Sequence, residues 1–155
     1  MLIKQTIRKN IAMSMINRIK KVFGYVDSKI EESMSEREIK ALRIKCTGRD
    51  QPVVSLSGGN QQKVVLGKCL ETQPDIMVLD DPTRGIDVGT KAEIYEMINQ
   101  FTEQGKAVIL ISSELPEVIS MSDRVGVMFE GKMRAILEKH DLTQEKVIRY
   151  AIGGN

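Results

Sequence analysis

Residues 56–63, LSGGNQQK, place a serine and two glycines directly before a run that predicts the start of a helix. Glycines let backbone N–H groups approach a ligand, and a helix N-terminus carries a partial positive charge, so this stretch suits a phosphate group. A helix cap preceded by a flexible turn is the alternative interpretation. Nucleotide-binding enzymes usually add a second loop, G-x-x-x-x-G-K-[ST], whose lysine contacts the phosphates. These 155 residues contain no such loop.

One segment matches the lysine loop by its letters alone. Residues 126–132 read GVMFEGK, but Met133 follows where the motif requires Ser or Thr. The residues before Gly131 have the composition of a strand, and no helix is predicted to begin at Lys132. The segment is therefore excluded as a phosphate loop.

Acidic and hydroxyl side chains follow two apolar runs of the chain. The run 76–79 leads into Asp80 and Asp81, and the run 107–111 leads into the triplet 112–114, SSE. Ligands of open parallel sheets bind beyond the carboxyl ends of the strands, where a carboxylate can lie near a Mg²⁺-phosphate. Because Asp before Pro is also a common turn or cap residue, this pattern alone leaves both interpretations open.

The strands and helices that must position these residues follow from the apolar pattern. Continuous apolar runs at 76–79, 107–111 and 125–129 predict strands that are buried on both faces, as in a parallel sheet. Helical segments lie between them, which favours an α/β layer fold with right-handed crossovers. One helix carries a core stripe and ends at Gly105; its stripe is Ile94, Met97, Ile98 and Phe101.

The ends of the chain carry further predicted elements. Residues 1–23 hold six Lys or Arg and no acid, with apolar residues at helical spacing. A transit peptide, a membrane-surface helix and an amphipathic helix of the domain all fit, and the polar interruptions favour the last. A second helix is predicted over 27–45, with its start either at Asp27 or within 33–36. Gly131 predicts a hairpin into 132–137, and 143–151 predicts a closing helix.

The composition of the chain restricts the classes of function that it can have. The chain is 41% hydrophobic and 28% charged, with a formal net charge of +2, so it gives no indication of a nucleic-acid partner. Cys46 and Cys69 lack a CxxC spacing, which favours a reducing compartment. No apolar stretch is long enough to span a bilayer. The single histidine, His140, is interpreted as a surface residue.

Three segments in this order and spacing resemble one protein family: LSGGNQQKVVLGKCL, IMVLDDPTRGIDVGTKAEIYEMI and VILISSELPEVISMSDRVGVMFEG. Together they are similar to the C-terminal part of an ATP-binding cassette, most closely the second cassette of bacterial sugar importers of the ribose/galactose/arabinose type. The resemblance implies an α/β fold, a fragment of an ABC-type P-loop NTPase that begins after the Walker A strand, loop and helix. It further implies a partial helical subdomain at 1–49, the ATPase core at 50–138 and a tail helix at 139–155.

The resemblance assigns roles to the signature residues. In this family ATP lies between the Walker A loop of one cassette and the signature of its partner. Ser57, Gly58 and Gly59 are expected to bind the γ-phosphate, and Gln61 continues the signature helix beside them. A side chain at Gly59 is expected to block the approach of the backbone to that phosphate. Asp87, in the D-loop, is expected to communicate across the dimer while it caps the next helix.

The resemblance also assigns roles at the strand ends. Asp80 is expected to hold Mg²⁺ through water. Asp81 stands where most cassettes have a catalytic Glu, and its carboxylate lies about 1.5 Å, one C–C bond, further back. Ser113 stands where most cassettes have the switch His. Both departures predict a degenerate site of the chain's own, beside an intact signature that serves a partner.

The implied assembly has several members: a second cassette that carries Walker A, the transmembrane subunits of a permease and, indirectly, a periplasmic sugar-binding protein. No nucleic acid is expected. The implied location is the cytoplasmic face of the cell membrane, and this chain alone is expected neither to bind nor to hydrolyse ATP. Two alternatives remain open: a soluble cassette protein outside transport, and a non-catalytic remnant that binds a partner.

Overall fold

The computed structural model of the chain describes residues 1–19 and 26–154. The chain forms two compact units. Unit 1 comprises Met1–Met77 and Thr83–Val108, and unit 2 comprises Val78–Pro82 and the residues from Ile109 onward. The functional subdivision at 49/50 and 138/139 stays a prediction.

The N-terminal segment of unit 1 is helical. Helix α1 spans Ile7–Ala12, a 3₁₀ turn follows at Met13–Met15, and α2 spans Ile16–Ile19. Thr6 caps α1 by accepting a hydrogen bond from the Lys9 N–H (3.2 Å). The apolar stripe faces the core, where Ile7 and Ile11 are fully buried. The interpretation as an amphipathic helix of the domain therefore agrees with the structure from Ile7 to Ile19. Residues 1–6 precede the helix, with Ile3 exposed, and the continuation over 20–23 lies outside the described residues.

Helix α3 spans Ser28–Ala41. Asp27 caps it by accepting from the Lys29 N–H (3.1 Å), so the earlier of the two predicted starts is correct. The later candidate, 33–36, lies inside the helix, where the Ser35 hydroxyl donates to the Glu31 carbonyl (2.8 Å). The helix ends four residues before the predicted 45, and Arg43 then has a positive φ of 50°.

Backbone pairing fixes the segment that precedes the signature. The Ile7 N–H donates to the Gln51 carbonyl (3.0 Å), and the Val53 N–H donates to the Gln5 carbonyl (3.0 Å). Val53 is fully buried, so this segment contributes to the core of unit 1. Helix α4 then spans Gly58–Leu70. The N-terminal segment therefore holds the chain immediately upstream of the LSGG motif.

Strand β1 spans Ile76–Asp80, helix α5 spans Val88–Glu103 and strand β2 spans Ala107–Ile111. The strands pair with each other. Ala107 donates to the Asp75 carbonyl at one end (3.0 Å), and Asp81 donates to the Ile111 carbonyl at the other (2.8 Å), so the strands run parallel. The predicted stripe of α5 is buried throughout, and Gly105 follows the helix with φ 79°.

The prediction that these strands are buried on both faces is wrong for the structure described. Met77 and Leu79 of β1 are buried, whereas Ile76 and Val78 are each 61% exposed. Ile109 and Ile111 of β2 are also more than half exposed. An apolar run indicates that a strand can be covered on both faces, but the elements that pack on it decide which faces are covered.

Unit 2 continues through α6 at Leu115–Met121, strands β3 at Arg124–Phe129 and β4 at Lys132–Glu138, a 3₁₀ turn at Lys139–Asp141, and α7 at Gln144–Ala151. The predicted hairpin is confirmed, because β3 and β4 pair antiparallel with Phe129 opposite Lys132. Gly131 has φ 74° in the turn, which favours glycine. The strand predicted for the parallel sheet thus lies in this hairpin. The core of unit 2 joins both strands to α7 through Val125, Val127, Leu137 and Val147.

Candidate functional site

The signature helix α4 begins with an open N-terminus. Ser57 occupies the N-cap position, but its hydroxyl makes no capping bond to the first turn and instead accepts from Asn60 Nδ2 (2.8 Å). Asn60 in turn accepts from the Lys45 N–H through Oδ1 (2.8 Å). Ser57 and Gly58 are exposed, and a Cβ added at Gly58 would meet no atom within 4 Å. This end of the helix can therefore present N–H donors to an anion.

Gly59 is constrained in a different way from Gly58. It is buried, and a Cβ at this position would lie 2.6 Å from Thr90 Cγ2 and 2.9 Å from Thr90 Oγ1. The glycine is thus required by the packing of α4 on α5 within unit 1. The expected block of the phosphate by a side chain at Gly59 stays a prediction, and the clash with Thr90 is a second effect that the sequence did not indicate.

Gln61 uses its side chain to close the turn before the helix. Its Nε2 donates to the Leu56 carbonyl (2.9 Å), and its backbone N–H donates to the Ser57 carbonyl (2.9 Å). These bonds hold the LSGG backbone in place. Any contact of Gln61 with a ligand stays a prediction.

Asp87 caps helix α5, as the sequence allows. Oδ1 accepts from the Thr90 N–H (3.0 Å), and Oδ2 accepts from the Thr90 hydroxyl (2.8 Å). These two bonds, the backbone one first, lower the pKa of the Asp87 carboxyl. The side chain is exposed, so its role toward a partner also stays a prediction.

An ion pair between a buried lysine and a partly exposed glutamate joins the same two helices one turn further along. Lys63 is 3% exposed, pairs through Nζ with Glu93 Oε2 and donates to the Arg43 carbonyl (3.2 Å). The hydrogen bond from Lys63 lowers the pKa of Glu93. Sequence reasoning missed this ion pair, although the spacing gave a signal. Lys63 follows Gly59 by four residues, so both lie on one face of α4. Glu93 follows Thr90 by three residues, so both lie on one face of α5.

The far end of α4 is held against α3. Arg37 Nη2 lies 2.7 Å from both carboxylate oxygens of Glu71, which is buried at the end of α4. Glu38 is buried beside them, and a Cβ at Gly67 would lie 3.3 Å from Glu38 Cβ. Burial, together with the neighbouring Glu71 carboxylate, raises the pKa of Glu38 to about 7. Both ends of the signature helix are therefore fixed by charged side chains.

The predicted residues at the ends of β1 and β2 come together in unit 2. Asp81 Oδ1 accepts from the Ser113 N–H (2.9 Å) and from the Ser113 hydroxyl (3.1 Å). Asp81 has a positive φ of 43°, and its own N–H donates to the Ile111 carbonyl. The carboxylate predicted for the catalytic position thus accepts hydrogen bonds from the serine predicted for the switch position.

Asp80, at the end of β1, is exposed and can offer one carboxylate oxygen to a hydrated Mg²⁺. Over residues 1–19 and 26–154, no group of three or more His, Cys, Asp or Glu side chains is arranged to hold a metal. A Mg²⁺ ion here would need ligands beyond these side chains, such as phosphate oxygens and water. The donor set therefore fits one part of a Mg²⁺-nucleotide site.

The family model of the ABC transporter matches residues 2–84, more than half of the chain. The chain belongs to the ABC transporter family. The family predicted from the linked motifs is thereby confirmed. No helix in the described part of the chain is long and apolar enough to cross a membrane.

Curated relatives of this chain are named as sugar import ATP-binding proteins. The ribose import ATP-binding protein RbsA of Halalkalibacterium halodurans is 49% identical over 150 residues, which is 97% of this chain and 30% of that protein. The xylose import ATP-binding protein XylG of Escherichia coli K12 is 49% identical over 144 residues, or 93% of this chain and 28% of that protein. The chain therefore spans about 30% of the length of the curated relatives it matches.

Solved ABC structures share the fold. The ADP conformation of an ATP-binding cassette of an ABC transporter matches with a TM-score of 0.76 and 24% identity, over 98% of this chain and 64% of that one. An inward-facing transporter described as a metal-chelate type matches with a TM-score of 0.80 and 13% identity, over 94% and 57%. The predicted ABC-type P-loop NTPase fold is thereby confirmed.

Proposed function

We propose that this chain is part of the ATP-binding subunit of a sugar importer and supplies the signature half of a shared ATP site. Ser57, Gly58 and Gly59 would contact the γ-phosphate of an ATP molecule that a second cassette holds through its Walker A loop. The ribose and xylose import names of relatives at 49% identity support the substrate class.

The open start of α4 is the observation that carries this proposal. The Ser57 hydroxyl does not cap the helix, and the space around Gly58 is empty, so an incoming phosphate meets no side chain at Gly58. The helix dipole and the first-turn N–H groups favour an anion at this position. Donors fixed in advance need little reorganisation when charge develops on the phosphate during hydrolysis.

The strand-end residues would form the chain's own, weaker site. Asp81 would orient the attacking water poorly, because its carboxylate is short and accepts two hydrogen bonds from Ser113. Mg²⁺, when bound with ATP, neutralises phosphate charge, and Asp80 would hold it through water. Small displacements of a catalytic group can reduce a rate by about a hundredfold.

The proposed assembly places the subunit on permease subunits at the cytoplasmic face of the membrane. A periplasmic sugar-binding protein would take part indirectly, through the permease. Asp87 would face the second cassette. The sugar would be selected by the binding protein and the permease rather than by the residues described above.

Equilibrium dialysis with labelled ATP tests the shared site. The chain alone should show no saturable binding at micromolar ATP, since its 155 residues contain no G-x-x-x-x-G-K-[ST] loop. Adding the cassette that carries Walker A should give ATP-dependent association with this chain, and Gly58→Asp should abolish that association. Saturable ATP binding by the chain alone, or association that is insensitive to both ATP and Gly58→Asp, would refute the proposal.

A further inference from the structure

Thr90 lies in the first turn of α5 and touches two functional motifs at once. One side of its side chain faces Asp87, where its hydroxyl and its N–H donate to the two carboxylate oxygens at 2.8 Å and 3.0 Å. The hydroxyl is therefore held by the D-loop carboxylate. This anchor fixes the χ1 rotamer of a side chain that is already stiff because it is β-branched.

The other side of Thr90 occupies the space where a side chain of Gly59 would lie. Measured from an ideal Cβ on Gly59, Thr90 Cγ2 lies at 2.6 Å, Oγ1 at 2.9 Å and Cβ at 3.1 Å. Rotating the threonine would not clear this space, since its Cβ stays in place and its hydroxyl would leave Asp87. The buried signature glycine is thus in tight contact with a side chain that cannot yield.

We propose that Thr90 is a positioning residue that fixes the first turn of the signature helix relative to the Asp87 carboxylate. Through this contact a displacement of Asp87 is passed to the backbone of Gly59, so the two motifs keep one relative position. The ion pair of Lys63 with Glu93, one turn further along both helices, prevents α4 from sliding away from the contact. The effect on ATP hydrolysis rests on the proposed function, whereas the contact itself does not.

Two substitutions of Thr90 separate its hydroxyl from its methyl group. Thr90→Val keeps both branches and the backbone N–H but loses the hydroxyl, so the pKa of Asp87, followed by NMR titration, should rise part of the way toward its usual value. Thr90→Ser keeps the hydroxyl and should leave that pKa low, which is the rescue by a conservative variant. Thr102→Val, on the same helix and exposed, is the control. An Asp87 pKa that is unchanged in Thr90→Val would overturn the anchoring role.

A double-mutant cycle tests the contact with Gly59. Gly59→Ala should lower the thermal midpoint of this chain by several degrees, because the new Cβ would clash with Thr90. Thr90→Ala removes the atoms at 2.6 Å and 2.9 Å, so the double variant should recover much of that loss. Gly58→Ala, with no atom within 4 Å, should leave the midpoint within about one degree. A double variant no more stable than Gly59→Ala would overturn the contact.

The functional consequence is measured on the assembled importer. Thr90→Val should lower the maximal ATPase rate about tenfold while the KM for ATP stays near its original value, because the partner's Walker A loop holds the nucleotide. Thr90→Ser should retain most of the rate. If Thr90→Val leaves the rate unchanged while Gly58→Asp abolishes it, the positioning role is overturned and the proposed function stands. If neither variant affects hydrolysis, the proposed function fails, and the titration and the cycle still decide the contact.

Discussion

The start of the signature helix and the end of strand β1 carry the two sets of predicted site residues, and they differ in what their polar groups bind. At the helix start, Ser57 and Gly58 are exposed, and the Ser57 hydroxyl leaves the helix N-terminus uncapped. At the strand end, Asp81 already accepts two hydrogen bonds from Ser113. The first region is open to a ligand, whereas in the second the carboxylate predicted to be catalytic holds its own loop.

The supports of the two regions differ as well. The signature helix is fixed near its start by Thr90 and Glu93 of α5 and at its end by Arg37 of α3. A binding element made of backbone N–H donors needs such fixed contacts, because its affinity depends on the geometry of the donors. These differences support the proposal that the signature serves a partner's nucleotide and that the strand end forms the weaker site.

The largest effect is expected from Gly58→Asp in the assembled importer. The new carboxylate would stand where the γ-phosphate is expected, so ATP hydrolysis should fall by about a hundredfold or more. The fold of the chain should not suffer, because an acid in the first turn of a helix is favourable. ATPase assays and thermal denaturation of the same variant test both statements.

Gly58 is the sharper site for this test than Gly59, because Gly59→Asp would also clash with Thr90 inside the chain. Asn99→Asp, an added charge at an exposed position of α5, is the control and should leave the rate unchanged. Near-normal hydrolysis by Gly58→Asp would remove the distinction between the two regions.

The second-largest effect is expected from replacing Glu93, which pairs with Lys63 of the signature helix. Glu93→Gln leaves the buried Lys63 ammonium without its carboxylate, which should lower the free energy of unfolding by about 2–4 kcal/mol. Lys63→Met should cost less, because it removes the buried charge itself. Urea denaturation of this chain measures both.

Glu96→Gln is the matched control for that pair. Glu96 lies one turn further along α5 and pairs with Arg43 at 3.5 Å, and both side chains are about half exposed or more. Such a pair contributes at most about 1 kcal/mol. Equal losses in Glu93→Gln and Glu96→Gln would show that burial of Lys63 gives the signature helix no special support.

The other end of the signature helix should make stability depend on pH. The raised pKa of Glu38, about 7, means that the folded chain holds a proton that the unfolded chain releases near 4.5. This contribution is complete below pH 4.5 and is lost as the pH rises through 7. Gln does not ionise, so the Glu38→Gln variant keeps its stability as the pH rises. At pH 8 the variant should therefore be more stable than the original by roughly 1–3 kcal/mol, at about 1.4 kcal/mol per pKa unit.

Urea denaturation at pH 5 and pH 8 checks the sign. The advantage of Glu38→Gln should nearly vanish at pH 5, where the original side chain is largely protonated. Glu103→Gln, at an exposed position of α5, should give equal shifts at both pH values. A stability of the original chain that rises between pH 5 and pH 8 while Glu38→Gln is flat would contradict the assignment.

The smallest effect is expected from Asp81→Asn in the assembled importer. The amide oxygen of Asn can still accept from Ser113, and Asn tolerates the positive φ of this position. Hydrolysis should stay within about threefold of the original rate, since the proposed working site is the one that Gly58 serves. A loss as large as that of Gly58→Asp would show that the strand end belongs to a working site.

Local signals in the sequence were sufficient for the elements and several of their ends. The cap at Asp27, the stripe of α5 and the hairpin at Gly131 depend on residues within one or two turns of each other, so spacing and turn chemistry identify them. The linked motifs also identified the family. The same local signals could not tell whether β1 and β2 are covered on one face or on both, since that depends on elements far away in the chain.

The sequence by itself determined that Ser57, Gly58 and Gly59 precede a helix and that Asp80 and Asp81 end a strand. Only the tertiary structure decided that the two glycines have different structural roles. Thr90, more than thirty residues away in the sequence, packs on Gly59 and leaves Gly58 open. The tertiary structure likewise decided that Asp81 binds Ser113 and that the buried Lys63 pairs with the partly exposed Glu93. Spacing records which residues share an element, whereas the partner of each side chain is set by packing between elements that are distant along the chain.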